Sequence, residues 1–81
     1  SGCICGEMRE IAESAAKSVD PSATIHDLQV ENSEQGTKVY FDMVISFGLD
    51  ITDEQAARKA EDFIKERGID AEIRVDHPLI D

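Results

Sequence analysis

The chain has 81 residues, of which 41% are hydrophobic, and this is enough for one small domain with a modest core. Eighteen acidic against eight basic residues give a net charge of −10, which disfavours nucleic acid and anionic membranes as partners and favours cations. No apolar run approaches the about 20 residues that span a bilayer, and no signal peptide is recognisable. We therefore expect a soluble domain for which self-association would help to bury apolar surface.

Hydrophobic periodicity predicts five secondary-structure elements. They are, in chain order, a helix over residues 7–19, strands over residues 24–31 and 38–47, a helix between Thr52 and Gly68, and a strand over residues 71–75. Pro21 ends the first helix because it disfavours helical backbone at the residue before it. Thr52 and Gln55 match a capping box, and Gly68 suits the left-handed position after a helix. The order α-β-β-α-β predicts an α+β fold in which two helices cover one face of a three-stranded sheet.

Residues 32–36 are polar and predict the hairpin loop between the first two strands, with Gly36 free to take a positive φ. The second strand is the clearest, because apolar residues alternate along it from Val39 to Phe47. The opposite face of the sheet is expected to be uncovered and to carry Tyr40, Asp42, Val44, Glu72, Arg74 and Asp27. Apolar side chains on such a face favour a surface for a partner.

Sequence motifs of catalysis are absent. There is no Gly-rich loop leading from a strand into a helix, and neither G-x-S-x-G nor H-E-x-x-H occurs. His26 and His77 are far apart in sequence, and Ser46 has no base near it. We therefore expect that the chain is not an enzyme.

Four residues are candidate metal ligands: His26, Asp42, Asp76 and His77. If the strands are antiparallel, the strand ends that carry His26 and His77 could converge on Asp42, giving a plausible first shell for Zn²⁺ or a similar ion. The alternative is that His26 caps a strand through a backbone hydrogen bond and that Asp42 is a solvated carboxylate. Spacing alone favours this alternative.

Strand alternation adds a complication to the metal site. It places His26 on the same side as Leu28 and Val30, whereas Asp42 lies opposite the apolar row of its own strand. It also leaves open whether the residue at position 76 or the one at position 77 faces the site.

Four segments together resemble the C-terminal cytoplasmic domain of the cation diffusion facilitator, or cation efflux, family. The segment IHDLQV resembles the family's hHDL-x-V strand, and VYFDMVI is similar to its second strand. The segment ITDEQAARKAEDFIKERG looks like its second helix, and IRVDHP looks like its terminal strand. The resemblance covers residues 7–78. It implies a metallochaperone-like, ferredoxin-like α-β-β-α-β domain over residues 7–81, preceded by a linker or cloning remnant over residues 1–6.

The resemblance also implies a function. Domains of this family lie on the cytoplasmic side of the membrane below a six-helix transmembrane part, and they dimerise as a V with metal at or near the interface. Metal draws the two arms together and favours proton-coupled export of Zn²⁺, Mn²⁺, Fe²⁺ or Co²⁺, of which Zn²⁺ is the first expectation here. The implied partners are a second copy, the transmembrane domain of the same chain and divalent cations, without nucleic acid.

Carried over by position, His26 matches a ligand His of the family, Asp42 replaces a frequent ligand His, and His77 matches a ligand Asp or Glu. An Asp in place of His shifts metal preference toward harder ions such as Mn²⁺ or Fe²⁺. Two further ligand histidines of the family align with Val75 and close to Ala57. The resemblance therefore implies one weaker site per protomer, or none.

Two other functions stay open from the sequence. The chain could be a purely structural dimerisation module whose metal sites are degraded. It could also be a free-standing metallochaperone-like protein that uses Cys3 and Cys5, although two cysteines in a C-x-C spacing with no other ligand nearby favour incidental residues of a linker.

Overall fold

The computed structural model describes residues 4–79, with Ile4 and Cys5 described by their backbone alone. The elements are α1 (Ile4–Val19), β1 (Thr24–Ser33), β2 (Gly36–Val44), α2 (Asp53–Lys65) and β3 (Asp70–Asp76). The predicted α-β-β-α-β order and α+β, ferredoxin-like class are confirmed. Within residues 4–79, neither helix has the length and hydrophobicity that crossing a membrane requires.

The three strands form one sheet with β2 in the centre. β1 pairs with β2 in the antiparallel sense, but β3 pairs with β2 in the parallel sense. The antiparallel arrangement assumed for the metal site is therefore wrong for β3. The reason is the connection: a crossover through α2 returns the chain to the beginning of β2, so the next strand runs in the same direction. The start of β1 and the ends of β2 and β3 consequently lie together, as the register Thr24, Val44 and Asp76 shows.

The β1–β2 hairpin is tighter than the predicted loop. β1 continues to Ser33 and β2 begins at Gly36, so only residues 34–35 form the turn. Polar residues extend both strands because their side chains form hydrogen bonds across the pair. Thr37 Oγ1, for example, donates to Asn32 Oδ1 at 2.7 Å. Gly36 has φ +123°, the positive value expected from its place in the turn.

The core lies between the sheet and the two helices, which pack on the same face. α1 contacts β1, β2 and α2, and α2 contacts β3. Most buried side chains of the layer come from β2 (Val39, Phe41, Met43, and Ile45 just beyond it), from α1 (Met8, Ala12, Ala15, Ala16) and from α2 (Ala56, Ala60, Ile64), with Ile25 from β1 and Ile73 from β3. The small alanines on both helices let these elements approach closely, and no element within residues 4–79 covers the other face of the sheet.

The ends of α2 follow the sequence prediction. Gln55 N donates to Thr52 Oγ1 at 3.0 Å and Thr52 N donates to Gln55 Oε1 at 2.9 Å, which completes the capping box. Gly68 has φ +78° after the helix.

Phe47 is expected in the buried row of the second strand but is 55% exposed. The reason is that β2 ends at Val44, so Phe47 belongs to the loop that leads to α2.

Asp20 connects the end of α1 to the end of β2. It is a buried carboxylate, 5% exposed, that accepts hydrogen bonds from Ser46 N at 2.9 Å and from Ser22 N at 3.1 Å. These backbone donors lower the pKa of Asp20 from 3.8 to about 2, and the side chains of Ser22 and Ser46 contribute in the same direction against the cost of burial. The bonds fix the α1–β1 turn against the β2–α2 loop.

Candidate metal site on the open face of the sheet

The uncovered side of the sheet, which we call the open face, is a grid of mostly polar side chains. Strand register aligns them in four rows across β1, β2 and β3: Thr24–Val44–Asp76, His26–Asp42–Arg74, Gln29–Tyr40–Glu72 and Glu31–Lys38–Asp70. The predicted open-face residues of β2 and β3 are thus confirmed. The second row contains two of the four candidate ligands.

A β-bulge places His26 on this face. Between the pairs His26–Asp42 and Gln29–Tyr40, two residues of β1 stand opposite the single Phe41 of β2. One of them, Asp27, has φ +59°, a left-handed value that Asp tolerates better than most residues. The extra residue shifts the alternation by one step, so the expectation that His26 and Asp42 face opposite sides is wrong.

His26 and Asp42 are therefore directly opposed across β1 and β2. Opposed side chains have Cβ atoms about 4.5–5.5 Å apart, a separation at which both could ligate one ion. His26 is exposed and Asp42 is half-buried. His26 Nε2 lies 3.5 Å from Thr24 Oγ1, which is a long contact to a side chain and not the backbone cap considered from the sequence.

His77 lies elsewhere, at the beginning of α2. Its Nδ1 is 3.1 Å from Ile45 O, its Nε2 is 3.0 Å from Asp53 Oδ1, and its ring stacks on Phe47 with centroids 4.7 Å apart. A carbonyl and a carboxylate are both acceptors, so the two contacts form together only when both ring nitrogens carry protons. In this arrangement His77 has no lone pair to offer a metal.

Asp76 answers the question that alternation left open. It pairs in register with Val44 and lies on the open face, one row beyond Asp42, while its Oδ1 accepts a hydrogen bond from His77 N at 2.9 Å. Even so, nowhere in residues 4–79 do three or more His, Cys, Asp or Glu side chains come together as a metal-binding group. The four candidates thus separate into the opposed pair His26–Asp42, Asp76 in the next row, and His77, whose ring contacts Ile45, Phe47 and Asp53. Cys3 and the Cys5 side chain lie outside the described residues.

The rest of the open face is organised around Tyr40. Its hydroxyl donates to Glu31 Oε1 at 3.2 Å, and Lys38 Nζ lies 5.0 Å from its ring centroid and 3.5 Å from Glu72 Oε1. The interaction with Tyr40, followed by the contact with Glu72, raises the pKa of Lys38. This cluster orders the end of the face away from His26.

A shallow depression of about 320 Å³ runs across the open face beside the bulge and is lined by Asp27, Asp42, Arg74 and their neighbours. A larger hollow of about 590 Å³ follows the outer side of α2, but the described residues that line it include no histidine or cysteine. Size alone therefore does not select the site. Hydrophobic alternation does not indicate the bulge, and it identifies Arg74 only as one residue of the open face and not as the neighbour of Asp42.

No protein-family model matches the chain, and a comparison with curated proteins finds no match. Among solved structures the fold matches that of CzrB, a protein studied as a zinc transporter, with a TM-score of 0.69 and 21% sequence identity. The match covers 96% of this chain and 100% of the other. At this identity the likeness establishes a shared fold.

Proposed function

We propose that this chain is the cytoplasmic regulatory and dimerisation domain of a divalent-cation efflux transporter of the cation diffusion facilitator family. Its role is to bind metal and favour closure of a homodimer, and not to catalyse a reaction. The observation that carries the proposal is the register of His26 and Asp42 on the open face of a fold shared with CzrB, which was studied as a zinc transporter.

The incomplete ligand set favours a shared site. Zn²⁺ takes four ligands in structural sites, and the opposed pair supplies one nitrogen and one carboxylate. A twofold axis brings the same patch of two chains together. The same two residues of a second copy would then complete a tetrahedral set of two histidines and two aspartates.

Electrostatics gives metal binding its expected effect on the dimer. Each chain carries a net charge of −10, so two chains repel one another over the Debye length of about 8–10 Å at physiological salt. A divalent cation between the open faces reduces that repulsion and contacts the closed arrangement better than the open one. Metal would therefore shift the population toward closure.

Calorimetric titration of the domain with Zn²⁺ and with Mn²⁺ tests this proposal, run beside His26→Ala and Asp42→Ala. We expect saturable binding that both changes weaken at least about tenfold, because each removes a direct ligand and even the loss of a residue that only orients a ligand costs about that much. His77→Ala is the matched control, since it removes a histidine that lies away from the open face. Light scattering and small-angle X-ray scattering of the same samples report dimer mass and closure.

The outcomes separate the alternatives. One ion per two chains would identify the shared site, whereas one ion per chain would identify a site completed by water within each chain. Heats that are the same for the parent protein, His26→Ala and Asp42→Ala would contradict the proposal. Dimer closure without metal in the parent protein would contradict the regulatory part of it.

A second candidate is the structural dimerisation module. Two observations favour it: within residues 4–79 no group of three ligands forms, and His77 is engaged by Ile45 and Asp53. This candidate predicts a dimer whose mass and shape are unchanged by Zn²⁺ and by removal of His26.

A further inference from the structure

We infer that Arg74 weakens the binding of divalent cations on the open face, and that its charge sets the metal concentration at which an ion binds to His26 and Asp42. The inference rests on the proposed metal-binding function and adds a residue that tunes its affinity. The observation behind it is the positively charged Arg74 side chain beside the candidate ligands.

The strand register places Arg74 beside Asp42. Asp42 is the central member of its row, with His26 on one side in β1 and Arg74 on the other side in β3. Neighbouring strands are about 4.8 Å apart, and residues in register point to the same face. Arg74 and Asp42 also line the same depression, and Arg74 is exposed.

Within residues 4–79, no carboxylate forms an ion pair with this guanidinium. The ion pairs in that range join Lys38 to Glu72 and His77 to Asp53. Glu72, two residues before Arg74 on the same face, is therefore already paired with another cation. Since an arginine stays protonated at any pH of interest, its positive charge is a permanent feature of the site.

A permanent positive charge beside Asp42 opposes metal binding, because it repels an incoming divalent cation that uses this carboxylate as a ligand. For charges of one and two units about 7 Å apart in water, Coulomb's law gives roughly a threefold to tenfold loss of affinity at low salt. The loss shrinks as ionic strength rises, because added salt screens the interaction.

The test is calorimetric titration of Arg74→Gln with Zn²⁺ alone, at about 20 mM and again at about 500 mM salt, where screening differs strongly. Arg58→Gln is the matched control, because it makes the same chemical change on the exposed side of α2, in the layer that covers the other face. Arg74→Lys keeps the charge and is expected to bind within about twofold of the parent protein.

The inference expects Arg74→Gln to tighten Zn²⁺ binding about threefold to tenfold at low salt, with a smaller gain at high salt and less than about twofold for Arg58→Gln. Equal affinities for Arg74→Gln and the parent protein, with binding still dependent on His26, would overturn the inference and leave the proposed function intact. Saturable binding by Arg74→Gln alone would support the inference and contradict metal sensing by the parent protein. Absence of binding in every variant would overturn both.

Discussion

The buried carboxylate of Asp20 gives the sharpest test of how the fold is held together. Asp20→Asn keeps the size of the side chain but replaces one acceptor oxygen with an NH₂ group. Oδ2 accepts from Ser46 N and Oδ1 from Ser22 N, so an amide nitrogen would face one of these backbone donors. The carboxylate also lies just after the C-terminal end of α1, where the helix dipole disfavours a negative charge. The hydrogen bonds from the Ser46 and Ser22 backbone lower the pKa of Asp20 even though burial acts to raise it.

The expected cost follows from that pKa. The shift from 3.8 to about 2, at about 1.36 kcal/mol per unit, corresponds to roughly 2 kcal/mol. The value agrees with the about 1.5–3 kcal/mol measured for hydrogen bonds to charged groups. Because the folded-state pKa is lowered, this stability is fully present above the pKa of the unfolded chain and is lost as pH falls from about 4 to about 2.

Urea denaturation followed by circular dichroism measures the effect. At pH 7 we expect Asp20→Asn to lower the free energy of unfolding by about 2 kcal/mol, which is roughly 10 °C in Tm for a domain of this size. At a pH of about 2 the difference should nearly vanish, because most of the Asp20 contribution is already lost there. Asp50→Asn, at an exposed loop position, controls for the loss of one negative charge. A difference that is equally large at both pH values, or one matched by Asp50→Asn, would refute this account.

Two further predictions concern the histidines and the bulge. His77→Ala should lower the free energy of unfolding by about 1.5 kcal/mol because it removes two hydrogen bonds and a ring stack, whereas His26→Ala should cost less than about 0.5 kcal/mol. Denaturation of the two variants side by side checks this, and equal costs would mean that the contacts of His77 contribute nothing. Asp27→Val should cost about 1–2 kcal/mol because a β-branched residue is strained at φ +59°, while Asp27→Gly should be close to neutral. If valine and glycine are equally tolerated in the same denaturation assay, the left-handed residue of the bulge is not at position 27.

Local sequence patterns predicted the fold well where local interactions decide it. The capping box at Thr52 and the positive φ of Gly36 and Gly68 depend on a few adjacent residues and were confirmed. The antiparallel direction assumed for β3 was wrong, because that assumption ignored the helical connection between β2 and β3. The inward prediction for Phe47 was wrong because alternation does not reveal where a strand stops.

The candidate site was harder to predict because it depends on contacts between elements. One extra residue in β1 moves the earlier side chains of that strand, including His26, to the opposite face of the sheet. The sequence around Asp27 does not distinguish such a bulge from a regular strand. The position of His77 depends on Asp53 and Ile45, which are 24 and 32 residues away along the chain. Periodicity carries no signal for such pairs. The assignment of His26 and Asp42 as a metal site remains a prediction for the titrations to test.

The structure indicates what kind of motion metal binding could drive. Beyond β2, Ile45 donates to Asp76 O and accepts from His77, while Ser46 N donates to Asp20. This short segment thus ties the end of the sheet to α1 on one side and, through His77 and Asp53, to α2 on the other. The His26–Asp42 row lies on a sheet that these contacts already hold in place. An ion bound there would therefore restrict the internal motion of the chain very little. A metal response of this domain should therefore move two chains relative to each other as rigid bodies, leaving the circular dichroism of each chain unchanged.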